Sequence, residues 1–197
     1  MATLVTAFTS AAQATYGSGT INLADMSNAV ASDDTYTGIG NPQPTPGDDF
    51  TTHYLTVTGL ASKVPNDATI TDLVITVARK GSATPTLSIK TVDARASLMF
   101  GGVVQVEDQK DALTPYPAAE AEADYTFTTL PTVAQANAET FGFAIAFTVF
   151  GDPLGDPATD SWPNVDYIYA TFTYTAAPSL GNGGFSAFSF KRGDSSF

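Results

Sequence analysis

The strongest pattern along the chain is the stretch Phe141–Phe150, FGFAIAFTVF. Here Phe141, Phe143, Ile145, Phe147 and Val149 alternate with Gly142, Ala144, Ala146 and Thr148. A strict period of two predicts a β-strand, and bulky residues on one face with small ones on the other suit a sheet packed on both sides. Val165–Thr175 carries the same rhythm, with Ile168, Ala170, Phe172 and Tyr174 on one face. Ile70–Lys80 does too: Leu73, Ile75 and Val77 face one way, Thr76, Ala78 and Lys80 the other. Weaker strand signals lie at His53–Thr58, at Thr86–Val92 with Leu87, Ile89 and Thr91 inward, and at Tyr125–Leu130. Residues 98–106, LMFGGVVQV, predict a bent strand with a bulge at Gly101-Gly102. The opening ATLVTAFTSAAQ reads as an edge strand or a leading arm.

Loops separate these runs. Asn22–Asp49 is loop-dominated, and Pro42, Pro44 and Pro46 hold part of it extended and unable to pair. Val64–Ala68 is a turn, and Glu107–Asp124 is a polar, proline-punctuated loop. Only Val133–Glu139, VAQANAE, has helical composition. Many short strands with long excursions predict an all-β fold: an antiparallel β-sandwich, jelly-roll-like, with an extended N-terminal segment and a C-terminal arm. Residues 1–177 form the body, with a core module at about 27–175, and 178–197 form the arm.

Composition narrows the partners. A chain of 197 residues is long enough to bury one sizeable core. Twenty acidic against eight basic residues leave a net charge of −12, which disfavours nucleic acid and anionic membranes as partners. The absence of cysteine removes disulfides and thiolate metal sites. No signal peptide or membrane-length apolar run is expected.

The arm, PSLGNGGFSAFSFKRGDSSF, begins with glycine-rich sequence and then carries Phe185, Phe188, Phe190 and Phe197. A solvated tail is usually poor in aromatic residues. Burying four rings does not offset the backbone entropy of ordering twenty residues, so the arm also needs backbone pairing, most simply along a sheet edge of its own body or of a neighbour. Lys191 and Arg192 read as a cationic clasp for a neighbour's carboxylates. Phe185, Phe188, Phe190, Lys191, Arg192 and Phe197 are therefore the expected subunit contacts. Arg192-Gly-Asp194 also spells an integrin-type tripeptide, without supporting context.

Candidate chemistry is sparse. His53 is the single histidine and lies near Asp48 and Asp49, but no GxSxG or comparable nucleophile context accompanies it. The carboxylate groups Asp33/Asp34, Asp48/Asp49 and Asp152/Asp156/Asp160 fall in Gly/Pro-rich loops, where Asp forms turns; the last group lacks the order of an EF-hand. A loop calcium site there is a secondary reading. Trp162 with Tyr167, Tyr169 and Tyr174 offers the aromatic face that a sugar-binding module would use, or a second buried layer. No enzymatic activity and no cofactor are expected.

Several spaced motifs bring a family into view. Ser27-Asn-Ala29, then Ser32-Asp-Asp34 with Tyr36, precede Tyr54-Leu55 with Val57. Pro65-Asn-Asp-Ala68-Thr-Ile70 opens the strand that holds Leu73-Val-Ile75 and Val77. Phe141-Gly-Phe-Ala-Ile145 follows, and Val165-Asp-Tyr-Ile168 with Ala170, Phe172 and Tyr174 closes the series. This order resembles β-sandwich modules in structural proteins of tailed bacteriophages, over roughly Ser27 to Thr175. Residues 41–47, the acidic 107–124 loop and the arm depart from that pattern. The resemblance implies a virion component without catalytic duty, assembled in the host cytoplasm. Its preferred form is a head decoration (cement) protein, a homotrimer over the major capsid protein or other virion proteins. A tail, neck or fibre-associated subunit is the second choice, and a host-glycan-binding module the third.

Overall fold

The computed structural model describes residues 1–39, 49–86, 89–151 and 162–176. The six arm residues expected to contact subunits, Phe185, Phe188, Phe190, Lys191, Arg192 and Phe197, lie outside the described residues. So do the prolines at 42, 44 and 46, together with Asp48, Leu87, Asp152, Asp156, Asp160 and the Arg192–Asp194 tripeptide.

The opening stretch is neither a free arm nor a simple edge. Strand β1 (Ala2–Ala14) belongs to both sheets. Its first half pairs with β11 (Pro163–Thr175), up to Ala7 opposite Tyr169. Its second half pairs with β5 (Tyr54–Leu60), starting from Phe8 opposite Leu60. Thirteen residues are long enough to cross from one layer to the other, and Phe8, 2% exposed, fills the crossing.

The first sheet runs β1–β11–β6–β9, with β6 at Thr69–Gly81 and β9 at Ala121–Thr126. The second runs β1–β5–β10–β7–β8, with β7 at Lys90–Phe100, β8 at Val103–Val104 and β10 at Gly142–Phe150. The short β4 (Phe50–Thr51) adds to the far end of β10, while β2 (Leu23–Ala24) and β3 (Gly38–Ile39) pair apart. Every pairing between these strands is antiparallel, and an isolated parallel bridge joins Ile21 to Thr52. The protein is an antiparallel β-sandwich of jelly-roll type.

Alternation along the strands fills the space between the layers. Leu73, Ile75 and Val77 from β6, Ile168, Ala170 and Phe172 from β11, and Phe143, Ile145 and Phe147 from β10 are all at most 1% exposed. Ala144 and Ala146 on the opposite face of β10 are fully buried as well, under Tyr54, Met99, Tyr16 and Val104. That covering on both faces is what the large/small alternation predicts.

Three local readings change. Gly101-Gly102 is a hairpin turn rather than a bulge: Phe100 pairs with Val103, and both glycines take positive φ, 59° and 77°. A two-residue hairpin loop needs that left-handed backbone, which glycine adopts without steric cost. The strand expected at Thr86–Val92 begins only at Lys90 and continues to Phe100. The expected 107–124 loop donates Ala121–Asp124 to β9, and its first part runs beside β7 through Gln109 N to Ala96 O and Tyr116 N to Thr91 O. The short helix α1 (Val133–Ala136) is present, with a capping box between Thr132 and Gln135. A 3₁₀ turn at Met26–Ala29 was not expected from the sequence.

Glu107 fastens that long segment. Its carboxylate accepts hydrogen bonds from Thr128 N and Thr129 N, both 2.8 Å, and from the Thr128 hydroxyl at 2.9 Å. Partial burial works against ionisation, but these donors outweigh it and hold the carboxyl at about 2, against an ordinary 4.5. A depressed folded-state pKa stabilises the fold above the unfolded value and loses that contribution as pH falls. Unfolding free energy from urea titrations should therefore drop as pH falls from about 4.5 toward about 2. Glu107→Gln should flatten that part of the profile; an unchanged slope in the variant would assign the acid sensitivity elsewhere.

Candidate functional site

The outer face of the first sheet carries a pair of part-exposed tyrosines. With Ile168, Ala170 and Phe172 turned inward, β11 presents Tyr167, Tyr169 and Thr171 outward. An irregularity adds one residue to β11 between Val165 and Ile168, opposite Val77–Arg79 of β6. This bulge keeps Val165 in the core and leaves Asp166 beside Tyr167 on the outward side.

The Tyr167 and Tyr169 rings stack, with centroids 5.5 Å apart and planes 15° from parallel. Both hydroxyls donate to Glu122 Oε1 of β9, at 2.6 Å from Tyr167 and 3.4 Å from Tyr169. Glu122 reaches them across Ala78, its register partner on the intervening strand. The hydrogen bond to the carboxylate, helped by partial burial and the negative charge, raises the Tyr167 pKa well above the usual phenol value. Both rings are held in place by one acceptor.

Beside them the sheet has a step. After Ala7, β1 leaves for the second sheet, and residues 30–37 take its place along β11. Val30 bridges to Tyr167, Thr37 N donates to Val165 O at 2.9 Å, and Val165 N donates to Thr37 Oγ1 at 3.1 Å. The gap between β1 and this segment is an open notch of about 490 Å³, lined by Val5, Ala7, Ser32, Tyr167, Tyr169 and Thr171. Val5 on its rim is 61% exposed.

An acidic cluster adjoins the notch. Asp34, Glu120 and Asp166 bring carboxylate oxygens within 4.8 Å of one another. Asp166 is 1% exposed and accepts from Asp33 N at 3.4 Å. Burial first, and then the charges of Glu120, Asp34 and Asp33, push its carboxyl up. The 28–37 loop is held by Asn28 Nδ2 donating to Tyr36 O at 3.0 Å, and Lys80 Nζ sits 3.7 Å from the Tyr36 ring centroid. Such an oxygen set suits a hard cation.

Inside the sandwich lies a second polar group. Arg79 of β6 donates through Nη1 to Asp93 Oδ1 of β7 at 2.5 Å and to the Tyr125 hydroxyl at 2.5 Å. Tyr116 donates to Asp93 Oδ1 at 2.7 Å, and Tyr125 and Asp111 N donate to Oδ2 at 2.9 Å each. The Arg79 guanidinium also lies 4.0 Å from the Tyr116 ring centroid. Burial and the Asp93 charge raise both phenols well above their usual values, and the surrounding phenols and Asp93 outweigh burial to keep Arg79 firmly protonated. With each charge satisfied, the group joins one sheet to the other.

The other sequence candidates separate. His53 Nδ1 accepts from Tyr16 N at 3.3 Å, supporting the turn that follows β1. Asp49 accepts from Gly151 N at 3.3 Å. Trp162 packs on Phe50, centroids 5.6 Å apart, instead of joining Tyr167 and Tyr169. Of the loop acids, the Asp33/Asp34 pair does enter the cluster, where it meets Glu120 and Asp166. Sequence reading missed Glu122 because it sits in a stretch that reads as loop. Arg79 was detectable, because its parity matches Leu73, Ile75 and Val77.

No protein-family model matches the chain, and no curated protein matches it in sequence. Among solved structures, a Stig cyclase, FisC, from Fischerella sp. TAU superposes with a TM-score of 0.41 at 12% identity, covering 76% of this chain and 68% of its own. A family 35 carbohydrate-binding module from Clostridium thermocellum gives 0.34 at 11% identity, covering 86% and 98%. One from Paenibacillus barcinonensis gives 0.31 at 12%, covering 90% and 100%. Overlap this loose transfers neither a ligand nor an activity.

Proposed function

We propose that this chain is a non-enzymatic structural subunit of a tailed-phage virion, a capsid decoration (cement) protein acting as a homotrimer on the head. One observation carries the reading beyond the sequence resemblance. The motif residues that define the resemblance are far apart in the chain but meet in space. Asn28 and Tyr36 close the 28–37 loop, Asp33 N donates to Asp166, and the loop pairs with Val165 and Tyr167. Ala29, within the same motif, is fully buried. The Pro65–Ile70 motif likewise forms a turn, Ala68 N to Pro65 O at 3.0 Å, braced by Asn137 on both polar atoms of Val64. The signature is thus a set of clips that hold a sandwich, which suits a building block. The acidic surface keeps free subunits apart until assembly.

Native mass spectrometry of the full chain and of a version cut after Ala177 tests the arrangement. The expected result is a trimer that falls to monomer on trimming, with the arm as the fastening element. A monomer in both forms overturns the trimer.

A further inference from the structure

We propose that the notch beside Tyr167 and Tyr169 is a binding site for a neutral glycan chain. This goes beyond the virion assignment and is independent of it. Three features of the surface converge. Two aromatic rings stand part-exposed beside the small or hydroxylated Ala7, Ser32 and Thr171 of the notch, and Val5 extends the apolar surface. Exposed apolar groups concentrated beside a concavity mark interaction sites. The volume, about 490 Å³, lies in the range of small-ligand pockets. Finally, Glu122 fixes both rings through their hydroxyls before any ligand arrives, so little ordering cost remains on binding.

The lining chemistry selects the ligand class. Tyrosine rings offer an apolar wall with a polar edge, matching a pyranose, which presents C–H groups on its faces and hydroxyls around its rim. Ser32 and Thr171 supply hydroxyl groups in the lining of the notch, and the Glu122 carboxylate sits at the tyrosine hydroxyls. Glu122 at the tyrosine hydroxyls, and Asp166 next to Tyr167 in the chain with Asp34 and Glu120 close to it, put negative charge on one side of the notch, so uronic acids and sulfated sugars are disfavoured. A neutral oligosaccharide remains.

The full chain is titrated, by calorimetry and by amide chemical shifts, with hexaoses of β-1,4-linked glucose, xylose, mannose and N-acetylglucosamine, and with oligogalacturonate. At least one neutral hexaose is expected to bind with a Kd of about 1 mM or tighter, moving resonances of residues 167–171. Tyr169→Ala should weaken that binding by about tenfold or more, and Tyr169→Phe by less than about threefold, since the ring face carries the contact. Both variants should keep the parent melting profile, because the ring is not in the core. The inference is overturned if no neutral hexaose binds at about 10 mM, if Tyr169→Ala binds as the parent does, or if oligogalacturonate binds more tightly. None of these results changes the subunit arrangement measured by native mass spectrometry.

Discussion

Asp93→Ala should destabilise the fold by about 3–5 kcal/mol, because it leaves a buried cation without its counter-charge. Arg79 is 6% exposed and Asp93 1%. Removing the carboxylate strips the acceptor from Arg79, from the Tyr116 and Tyr125 hydroxyls, and from Asp111 N. Arg79 cannot escape by losing its proton, since its surroundings hold it protonated. Adding Arg79→Met to Asp93→Ala should recover part of the loss, with a coupling of about 2 kcal/mol, because the stranded charge is gone. Urea unfolding of the parent, both single variants and the double variant gives the cycle. A cost below about 1 kcal/mol for Asp93→Ala would mean that the cluster is hydrated and does not join the sheets.

Gly142→Ala is the second large effect, at about 3 kcal/mol, through overpacking against backbone. A Cβ at this position would lie 2.1 Å from Val57 O, 3.2 Å from Val57 C and 2.9 Å from Thr58 Cγ2. Val57 and Thr58 belong to β5, which pairs with β10 at this point, Gly142 opposite Thr58. A backbone carbonyl cannot rotate aside as a side chain would, so the strands must separate at the centre of the second sheet. Gly101→Ala is the control. There φ is 59° but nothing lies within 4 Å of the added carbon, so the cost should be the conformational one alone, about 1 kcal/mol. Equal stability of Gly142→Ala and the parent in urea would show that β5 and β10 tolerate a wider spacing.

Legibility in the sequence follows the range of the interaction. Phe143, Ile145 and Phe147, or Leu73, Ile75 and Val77, announce their strand and their face through neighbours two residues away. The same parity places Arg79 in the core. Its partner could not be found that way, because the β7–β10 register shifts between Ala146 and Phe147, and that shift turns Asp93 inward. One extra residue reverses every side chain beyond it, and alternation alone does not reveal where it is inserted.

The candidate site shows the same division. Tyr167 and Tyr169 share a face by spacing, and Asp33/Asp34 stand out as adjacent acids. Glu122, Glu120 and Asp166 join them only through the β6–β9 register, the bulge in β11 and the 28–37 loop. The sequence by itself determined the all-β class, the faces of the strongly alternating strands, the short helix that begins at Val133 and the excess of negative charge, because each depends on near neighbours or on totals. Only the tertiary structure decided that β1 serves both sheets, that Arg79 meets Asp93, and that a notch opens beside the tyrosine pair. Those depend on which distant strands pair and in what register, and non-local pairing is set by the packing of the whole core.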